Sequence, residues 1–361
     1  MMAKAESAQG RGRPAGTTRI FVIDDSPFIR KAITRILSAR TDMQVVGTAQ
    51  DGEEALRRLS TAQPHVVTLD VEMPGMGGLA TLREMQRRHP GLPVIMLSAY
   101  TQEGAETTLD SIAAGAVDFI DKSQFSLMDF DRLSRELIEK IQVWQGPRAY
   151  CWDRTATPVQ PAGESTLPRV HWPSYDLCVI GASTGGPPAL QQIVSHIPKN
   201  FPLPIAVVQH MPVGFTRPFA ARLDSLGGIR VKEAEEHNTL RPGQLLLARA
   251  GMHLRIEADL TAHLALEPRD GRHIPSVDVL MKSANRARPG RVLGILLTGM
   301  GHDGAEGMLA IRASGGLTLA ENEASCVVYG MPRAAQKRGG VVHMLSLSEI
   351  CQLFAARSDN Q

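Results

Sequence analysis

Short apolar runs alternate with amphipathic stretches along most of this chain, and this alternation restricts the fold more than any other feature. Each run has strand length, and residues between runs repeat at helical spacing, as Phe28, Ile33 and Leu37 do within 26–39. Strict alternation of strands and helices predicts a parallel sheet with helices on both faces. The chain is therefore predicted to be an α/β protein.

Five such runs lie in the first part of the chain. They are Arg19 to Ile23, Gln44 to Ala49, Val66 to Leu69, Val94 to Ser98 and Asp118 to Ile120. Five strand-helix units fit one small doubly wound (βα)5 domain of the flavodoxin-like type, predicted to span 17–142. The polar, basic segment 1–16 has no apolar core of the kind that a signal peptide needs, and we expect it to be a disordered tail.

A proline-rich stretch, 143–173, separates this domain from a second one predicted at 174–361. Five prolines among small polar residues exclude a helix or a central strand there, so the stretch is interpreted as a linker.

Alternation resumes in the second domain. Predicted strands are Leu177 to Ile180, Ile205 to Gln209 and Val292 to Thr298, and predicted helices are Pro188 to His196, Phe215 to Leu226 and Ala305 to Ala313. The mixed interval 232–266 contains apolar runs at Leu245 to Ala248, His253 to Ile256 and His263 to Leu266, which indicate short hairpin strands. We expect a mostly parallel, doubly wound sheet with this antiparallel excursion at one edge.

Composition excludes several classes of function. The 361 residues include 39 basic and 37 acidic side chains, so no overall charge favours nucleic-acid binding. No run approaches the roughly 20 apolar residues that span a bilayer, and no membrane insertion is expected. The four cysteines are scattered without the close pairs that zinc or a redox dithiol requires. A cytoplasmic protein fits these features best.

Acidic residues follow two predicted strands of the first domain. Asp24 and Asp25 close the first strand and Asp70 closes the third, and carboxyl ends of parallel strands share one edge of the sheet. Clustered carboxylates repel one another unless a hard cation such as Mg²⁺ is bound. Ser98 and Lys122 end two further strands, a set that suits an aspartate accepting a phosphoryl group. Taken singly, the same residues fit plain roles as helix caps or surface charges.

The turn Gly181 to Gly186 fits the pattern G-x-S-x-G between a strand and a helix. In such a turn the serine hydroxyl stands at the carboxyl end of the strand, close to amide groups at the helix N-terminus. Ser183 is therefore the leading candidate nucleophile. A phosphate-binding turn, or a turn that only joins strand to helix, fits the same pattern.

Ser183 needs a base, and His210 directly follows the apolar strand IAVVQ. His302 is the rival, within the glycine-rich loop 296–307, but that loop also contains Asp303, which is suited to orient a histidine. Ser183, His210 and Asp303 are thus predicted at three strand ends of one sheet. The N–H groups of Thr184, Met300 and Gly301 are the predicted oxyanion donors.

Residues 19–122 resemble the receiver domain of bacterial response regulators, through IDD at 23–25, LDVEMPGMGG at 69–78, LSA at 97–99 and DK at 121–122. The resemblance implies that Asp70 is phosphorylated, and that Asp24, Asp25 and the Glu72 carbonyl hold Mg²⁺ beside Asp70. It also implies that Phe119 rotates together with Ser98. Ser123 stands where the family usually has proline.

The second domain resembles the catalytic domain of the CheB family of chemotaxis protein-glutamate methylesterases. The matching motifs are GASTGG, QHMPVGFTRPFAARL, PSVDVL, LLTGMGHDGAEGM and ENEASCVVYGMPRAA. The resemblance implies the triad Ser183, His210 and Asp303, and no cofactor for the esterase. His302 replaces an asparagine that many members have.

By the same resemblance the substrate is the glutamyl methyl ester, or the glutamine, of chemoreceptor cytoplasmic helices, and the phosphodonor is a CheA-type histidine kinase. The alternative is a phosphorylation-controlled binding module with no catalysis. A DNA-binding response regulator is disfavoured because the second domain has no basic face.

Overall fold

The structure is a computed structural model that describes residues 17–98, 102–122, 130–144, 167–268 and 273–355. The predicted tail, 1–16, and most of the predicted linker lie outside the described residues. By their contacts, the described residues fall into two compact units, one within 17–95 and 130–144 and the other within 96–122 and 167–355.

Ten elements alternate along the first series. They are β1 (Thr18–Ile23), α1 (Pro27–Ser38), β2 (Met43–Ala49), α2 (Gly52–Ala62), β3 (Val66–Asp70), α3 (Gly77–Arg88), β4 (Val94–Ser98), α4 (Gln102–Ala113), β5 (Asp118–Asp121) and α5 (Phe130–Val143). The five strands form one sheet in the order β2-β1-β3-β4-β5. The predicted strands and the doubly wound fold class are confirmed.

Local sequence accounts for these elements. Every residue of β3 and β4 is buried, as expected for strands covered on both faces. Helix α1 begins after Ser26, whose hydroxyl accepts a hydrogen bond from the N–H of Ile29, and Pro27 occupies its first turn. Its residues Ile33 and Leu37 are buried, whereas Phe28, predicted on the same face, is 63% exposed.

The second series is longer. Its elements are β6 (Leu177–Ala182), α6 (Gly186–His196), β7 (Ile205–Gln209), α7 (Thr216–Ser225), β8 (Arg230–Glu233), β9 (Gln244–Leu247), β10 (His253–Ile256), β11 (Ala262–Ala265), α8 (Val277–Ala287), β12 (Val292–Leu296), α9 (Ala305–Ala313), β13 (Leu317–Glu321), α10 (Met331–Lys337), β14 (His343–Leu345) and α11 (Leu347–Ala355). Among the described residues, seven of these strands form a sheet in the order β14-β13-β12-β6-β7-β9-β8, and each neighbouring pair of strands in it is parallel.

One predicted strand has other neighbours than the expected hairpin partner. The run Leu245 to Ala248 was expected to form a hairpin, but β9 lies in the main sheet, parallel to both β7 and β8. Three consecutive leucines of β9 are buried, which is the pattern of a strand covered on both faces. Of the three predicted hairpin strands, β10 and β11 form the expected antiparallel pair, with Leu254 opposite Leu264.

The strand order decides where the chemistry of this sheet can lie. Strand β6 lies between β12 and β7, with Gly181 opposite Leu296 and Ala182 opposite Gln209. The carboxyl ends of these three parallel strands therefore meet at one edge, where the chain changes direction across the sheet. Within the described part of the chain, no helix combines the length and apolarity needed to cross a bilayer.

Candidate active site

Ser183 is the first residue after β6, and the main chain fixes it from two sides. Its N–H donates to the Thr298 carbonyl at 3.0 Å, and its own carbonyl accepts the Gly186 N–H at 2.8 Å. Gly185 then adopts φ of +79°, in the left-handed region that favours glycine, and α6 starts at once. The predicted sharp turn between strand and helix is present.

Gly299 makes room for the serine. A Cβ atom placed on Gly299 would lie 2.8 Å from the Ser183 Cβ, closer than such atoms approach in proteins. The backbone after β12 thus passes directly beside the serine side chain, and only glycine permits this approach.

His210 and Asp303 form the second part of the site. His210 follows β7, and its Nε2 lies 2.8 Å from Oδ2 of Asp303. The other ring nitrogen, Nδ1, is buried and has no hydrogen-bond partner among the described residues. In the usual Ser-His-Asp arrangement the aspartate binds Nδ1 and the serine faces Nε2. Here the ring is reversed, and Nδ1 is the nitrogen that remains without a partner among the described residues.

Asp303 accepts hydrogen bonds from more groups than the histidine alone. The donors besides His210 are the Ser276 hydroxyl at 2.8 Å and the N–H groups of Val277, Asp278 and Gly304 at 2.7, 2.9 and 3.0 Å. Three of these belong to the first turn of α8 and its N-cap, where the helix dipole favours an anion.

Charge and hydrogen bonding decide the ionisation of Asp303. Burial alone would raise its pKa, but the hydrogen bond and positive charge of His210, with the N–H groups of Asp278 and Val277, hold the pKa below its usual range. Asp303 is therefore an anion at neutral pH, fixed in one orientation. An anion in this position holds the proton of the imidazole on Nε2.

The structure brings His210 and Asp303 together and places Ser183 beside them. The His210 N–H donates to the carbonyl of Ala182, the residue before the serine, at 3.1 Å. Within the described residues the Ser183 hydroxyl forms no hydrogen bond to His210. Catalytic hydrogen bonds of this kind are commonly long without substrate and shorten when it binds. The rival base, His302, is exposed, and within the described residues the histidine that Asp303 binds is His210.

Backbone N–H groups suited to an oxyanion also lie at this edge. The N–H groups of Thr184, Met300 and Gly301 donate to no acceptor within the described part of the chain. The loop with Met300 and Gly301 lies directly against Gly330, where an added Cβ would come within 3.2 Å of both. The three predicted donors are thus available for a ligand.

Sequence reasoning missed four side chains at the site. Gln209 and Thr298 hydrogen-bond the turn at Ser183, Ser276 binds Asp303, and the His273 ring stacks on that of His210 with centroids 4.0 Å apart. Ser276 has an N-cap signal before an apolar helical pattern, which offered a way to find it. For the other three the local sequence gives no comparable signal.

The acidic cluster of the first series is also present. Oxygen atoms of Asp24, Asp25 and Asp70 lie within 4.8 Å of one another, and Asp24 and Asp70 are fully buried. Buried carboxylates this close repel unless a cation or a proton compensates, so the donor set fits a hard divalent cation. The N–H of Glu72 donates to Asp70 Oδ1 at 3.2 Å.

The remaining predicted receiver residues lie at the ends of β4 and β5. Ser98 is buried, and its hydroxyl accepts a hydrogen bond from that of Thr108 at 2.7 Å. Within the second compact unit, the buried Phe119 ring stacks on Phe215 with centroids 4.7 Å apart. Lys122 is half-buried. The unusual Ser123 falls outside the described residues.

Comparison with known proteins gives the family. The family model described as CheB methylesterase matches residues 178–354, and that described as response regulator receiver domain matches 20–131. A protein-glutamate methylesterase/protein-glutamine glutaminase from Lawsonia intracellularis is 39% identical over 353 residues, covering 94% of this chain and 99% of that protein. The chain belongs to the CheB protein-glutamate methylesterase family.

A further relative and a solved structure are also similar to this chain. Protein-glutamate methylesterase/protein-glutamine glutaminase 2 from Nitratidesulfovibrio vulgaris is 42% identical over 348 residues, covering 89% of this chain and 94% of that protein. The crystal structure of the Thermotoga maritima CheB methylesterase catalytic domain is 37% identical, covers 50% of this chain and 98% of that chain, and has a TM-score of 0.49.

Proposed function

We propose that this chain hydrolyses γ-glutamyl methyl esters on the cytoplasmic helices of chemoreceptors, and deamidates selected glutamines there, by acyl transfer through Ser183. The contact between His210 and Asp303 carries the proposal, because it leaves Nδ1 as a base at the strand edge where Ser183 lies. No cofactor is needed for this chemistry. The site of action is the cytoplasm, where these receptor helices are expected.

The first step forms an acyl-enzyme. As Ser183 Oγ attacks the ester carbonyl carbon, His210 Nδ1 takes the hydroxyl proton, and the new imidazolium is stabilised by Asp303 at Nε2. The carbonyl oxygen becomes an oxyanion that accepts from the N–H of Thr184 and from the N–H groups of Met300 and Gly301. His210 then gives its proton to the methoxy oxygen, and methanol leaves.

The second step releases the glutamate. Water gives one proton to His210 Nδ1 and attacks the acyl carbon, the bond from that carbon to Ser183 Oγ breaks, and His210 returns the proton to Oγ. With a glutamine substrate the leaving group is ammonia instead of methanol, and both reactions yield the same glutamate side chain.

Methanol release from methylated receptor tests this assignment. Ser183→Ala removes the nucleophile and is expected to reduce the rate by at least a thousandfold. Ser195→Ala is the matched control, since within the described residues this exposed hydroxyl on α6 hydrogen-bonds the Gln192 carbonyl of its own helix and the ring of the neighbouring His196. Near-wild-type release by the Ser183→Ala protein would refute acyl transfer through this serine.

We further propose that phosphorylation of Asp70 by a CheA-type histidine kinase activates the esterase. Asp24, Asp25, Asp70 and the Glu72 carbonyl would hold Mg²⁺, which supplies positive charge to the transferred oxygens. Ser98, Phe119 and Lys122 would respond to the phosphoryl group, as in other receivers. The unphosphorylated receiver is proposed to restrain access of the bulky helical substrate to Ser183.

This control requires only a small free-energy difference. A hundredfold activation requires about 2.7 kcal/mol of differential stabilisation between restrained and open states. A small phosphodonor with Mg²⁺ should raise methanol release by the wild-type chain and leave the Asp70→Asn variant unchanged. The fragment 174–361 should exceed the unphosphorylated full chain in rate, and equal rates would eliminate restraint by the receiver.

A further inference from the structure

Gln209 joins the two reacting residues through one amide group. It is the last residue of β7 and is only 2% exposed, so contact with solvent does not explain its polar side chain. Its Nε2 donates to the Ser183 carbonyl at 2.9 Å and to the His210 carbonyl at 3.0 Å. Both N–H donors of the amide are therefore used on the main chain of the nucleophile and of the base.

The bond to Ser183 fixes more than that carbonyl. The Ser183 carbonyl and the Thr184 N–H belong to the same peptide, which is planar and trans, so they point in opposite directions. Two donors hold the carbonyl, the Gln209 amide and the Gly186 N–H at 2.8 Å. The Thr184 N–H is thereby directed away from both, and it has no acceptor within the described residues.

The oxygen atom of the Gln209 amide has no such favourable contact. Its Oε1 is buried and has no hydrogen-bond partner among the described residues, and it lies against Gly186, where an added Cβ would be only 2.0 Å away. Buried polar groups are normally paired, and an apolar side chain of similar size would avoid the unpaired oxygen. A methionine in this position would not supply the two hydrogen bonds that Nε2 donates.

We propose that Gln209 is a positioning residue of the esterase, which sets the direction of the Thr184 N–H toward the oxyanion while fixing the main chain of His210. The inference rests on the proposed function, because it assigns a role in the same acyl transfer. It predicts that loss of the amide weakens binding of the tetrahedral state and leaves binding of the ester almost unchanged.

The experiment compares Gln209→Met with wild type in the full chain. Kcat for methanol release should fall about 10- to 100-fold, less than the 10²- to 10³-fold typical of losing an oxyanion donor outright, with KM changed less than threefold. A short alkylboronic acid, which forms a tetrahedral adduct with the serine, should bind more weakly by the same factor as kcat/KM. Gln191→Met is the matched control, since this half-buried glutamine on α6 donates no hydrogen bond within the described residues.

Gln209→Glu supplies a second readout that a merely structural role would not produce. Ionised, the carboxylate faces two carbonyl oxygens and repels them; protonated, it donates one hydrogen bond. The ratio of kcat for Gln209→Glu to kcat for Gln209→Met should therefore rise as pH falls through the range in which the introduced carboxyl group takes up its proton.

Three results would overturn the inference. They are wild-type kcat in a folded Gln209→Met protein, a kcat loss without loss of boronate affinity, and a pH-independent ratio between the two variants. Circular dichroism and the thermal midpoint establish folding, and if the methionine variant does not fold, the glutamate variant relative to wild type carries the test. Full activity of Ser183→Ala would instead refute the proposed function.

Discussion

Replacing Asp303 with asparagine preserves the shape of the side chain but turns one acceptor oxygen into a donor. Oδ1 faces two main-chain N–H groups, of Asp278 and Gly304, whereas Oδ2 faces one, of Val277, together with the His210 ring. The NH₂ group should therefore take the side of Oδ2. It will then donate to Nε2 of the histidine, which moves the ring proton to Nδ1, the nitrogen that has to accept the serine proton.

The size of the loss follows from the bonds involved. To recover the active tautomer, the ring must turn its Nε2–H toward the asparagine NH₂. That forfeits a charge-assisted hydrogen bond worth about 1.5 to 3 kcal/mol and leaves a buried donor unpaired at about 1 to 3 kcal/mol more. The sum, about 2.5 to 6 kcal/mol, corresponds to a fall in kcat of about 10² to 10⁴.

Single-turnover and steady-state methanol release from methylated receptor will measure this loss. Asp176→Asn is the matched control, because Asp176 precedes β6 at the other end of the strand and pairs with Arg291 at 2.7 Å. A kcat for Asp303→Asn within tenfold of wild type, in a protein with an unchanged thermal midpoint, would refute the assignment of Asp303 as the group that sets the tautomer.

Further predictions concern stability and control. Because the pKa of Asp303 is lowered in the folded state, its stabilisation should be present above about pH 4 and lost as pH falls below it, and Asp303→Asn should flatten acid unfolding curves. Gly299→Ala should abolish activity and destabilise by about 1 to 3 kcal/mol in urea unfolding, since its Cβ would collide with Ser183. Burial raises the pKa of Glu321, so Glu321→Gln should raise the thermal midpoint at neutral pH, with the gain vanishing toward pH 4. Asp70→Asn should abolish incorporation of labelled phosphate while the unphosphorylated rate persists.

Much of the fold could be predicted because most strands are apolar runs of limited length bounded by polar residues. The run Val66 to Asp70 is buried throughout, and its continuous hydrophobicity indicated an interior parallel strand. Pairing partners were harder to predict. The leucines of β9 identified a strand, but no local pattern distinguishes a hairpin partner from a neighbour in the main sheet, and there the prediction was wrong.

The site could be predicted at the level of strand ends. Since parallel strands share one edge, Ser183 and His210 were expected near each other, and they follow the paired residues Ala182 and Gln209. The reversal of the imidazole could not be predicted, because it depends on where the first turn of α8 places its N–H groups around Asp303. The roles of the triad and of the receiver residues remain predictions for the experiments above.

The position of β6 also determines when the protein can first act. During translation β6 and β7 leave the ribosome before α8. Strand β12, which lies on the other side of β6, emerges only after α8, and so does the loop with Asp303. Until then the nascent serine turn lacks the Thr298 carbonyl that holds it and the carboxylate that orients its base. Prematurely terminated chains ending before β12 should therefore lack esterase activity, even though they contain Ser183 and His210.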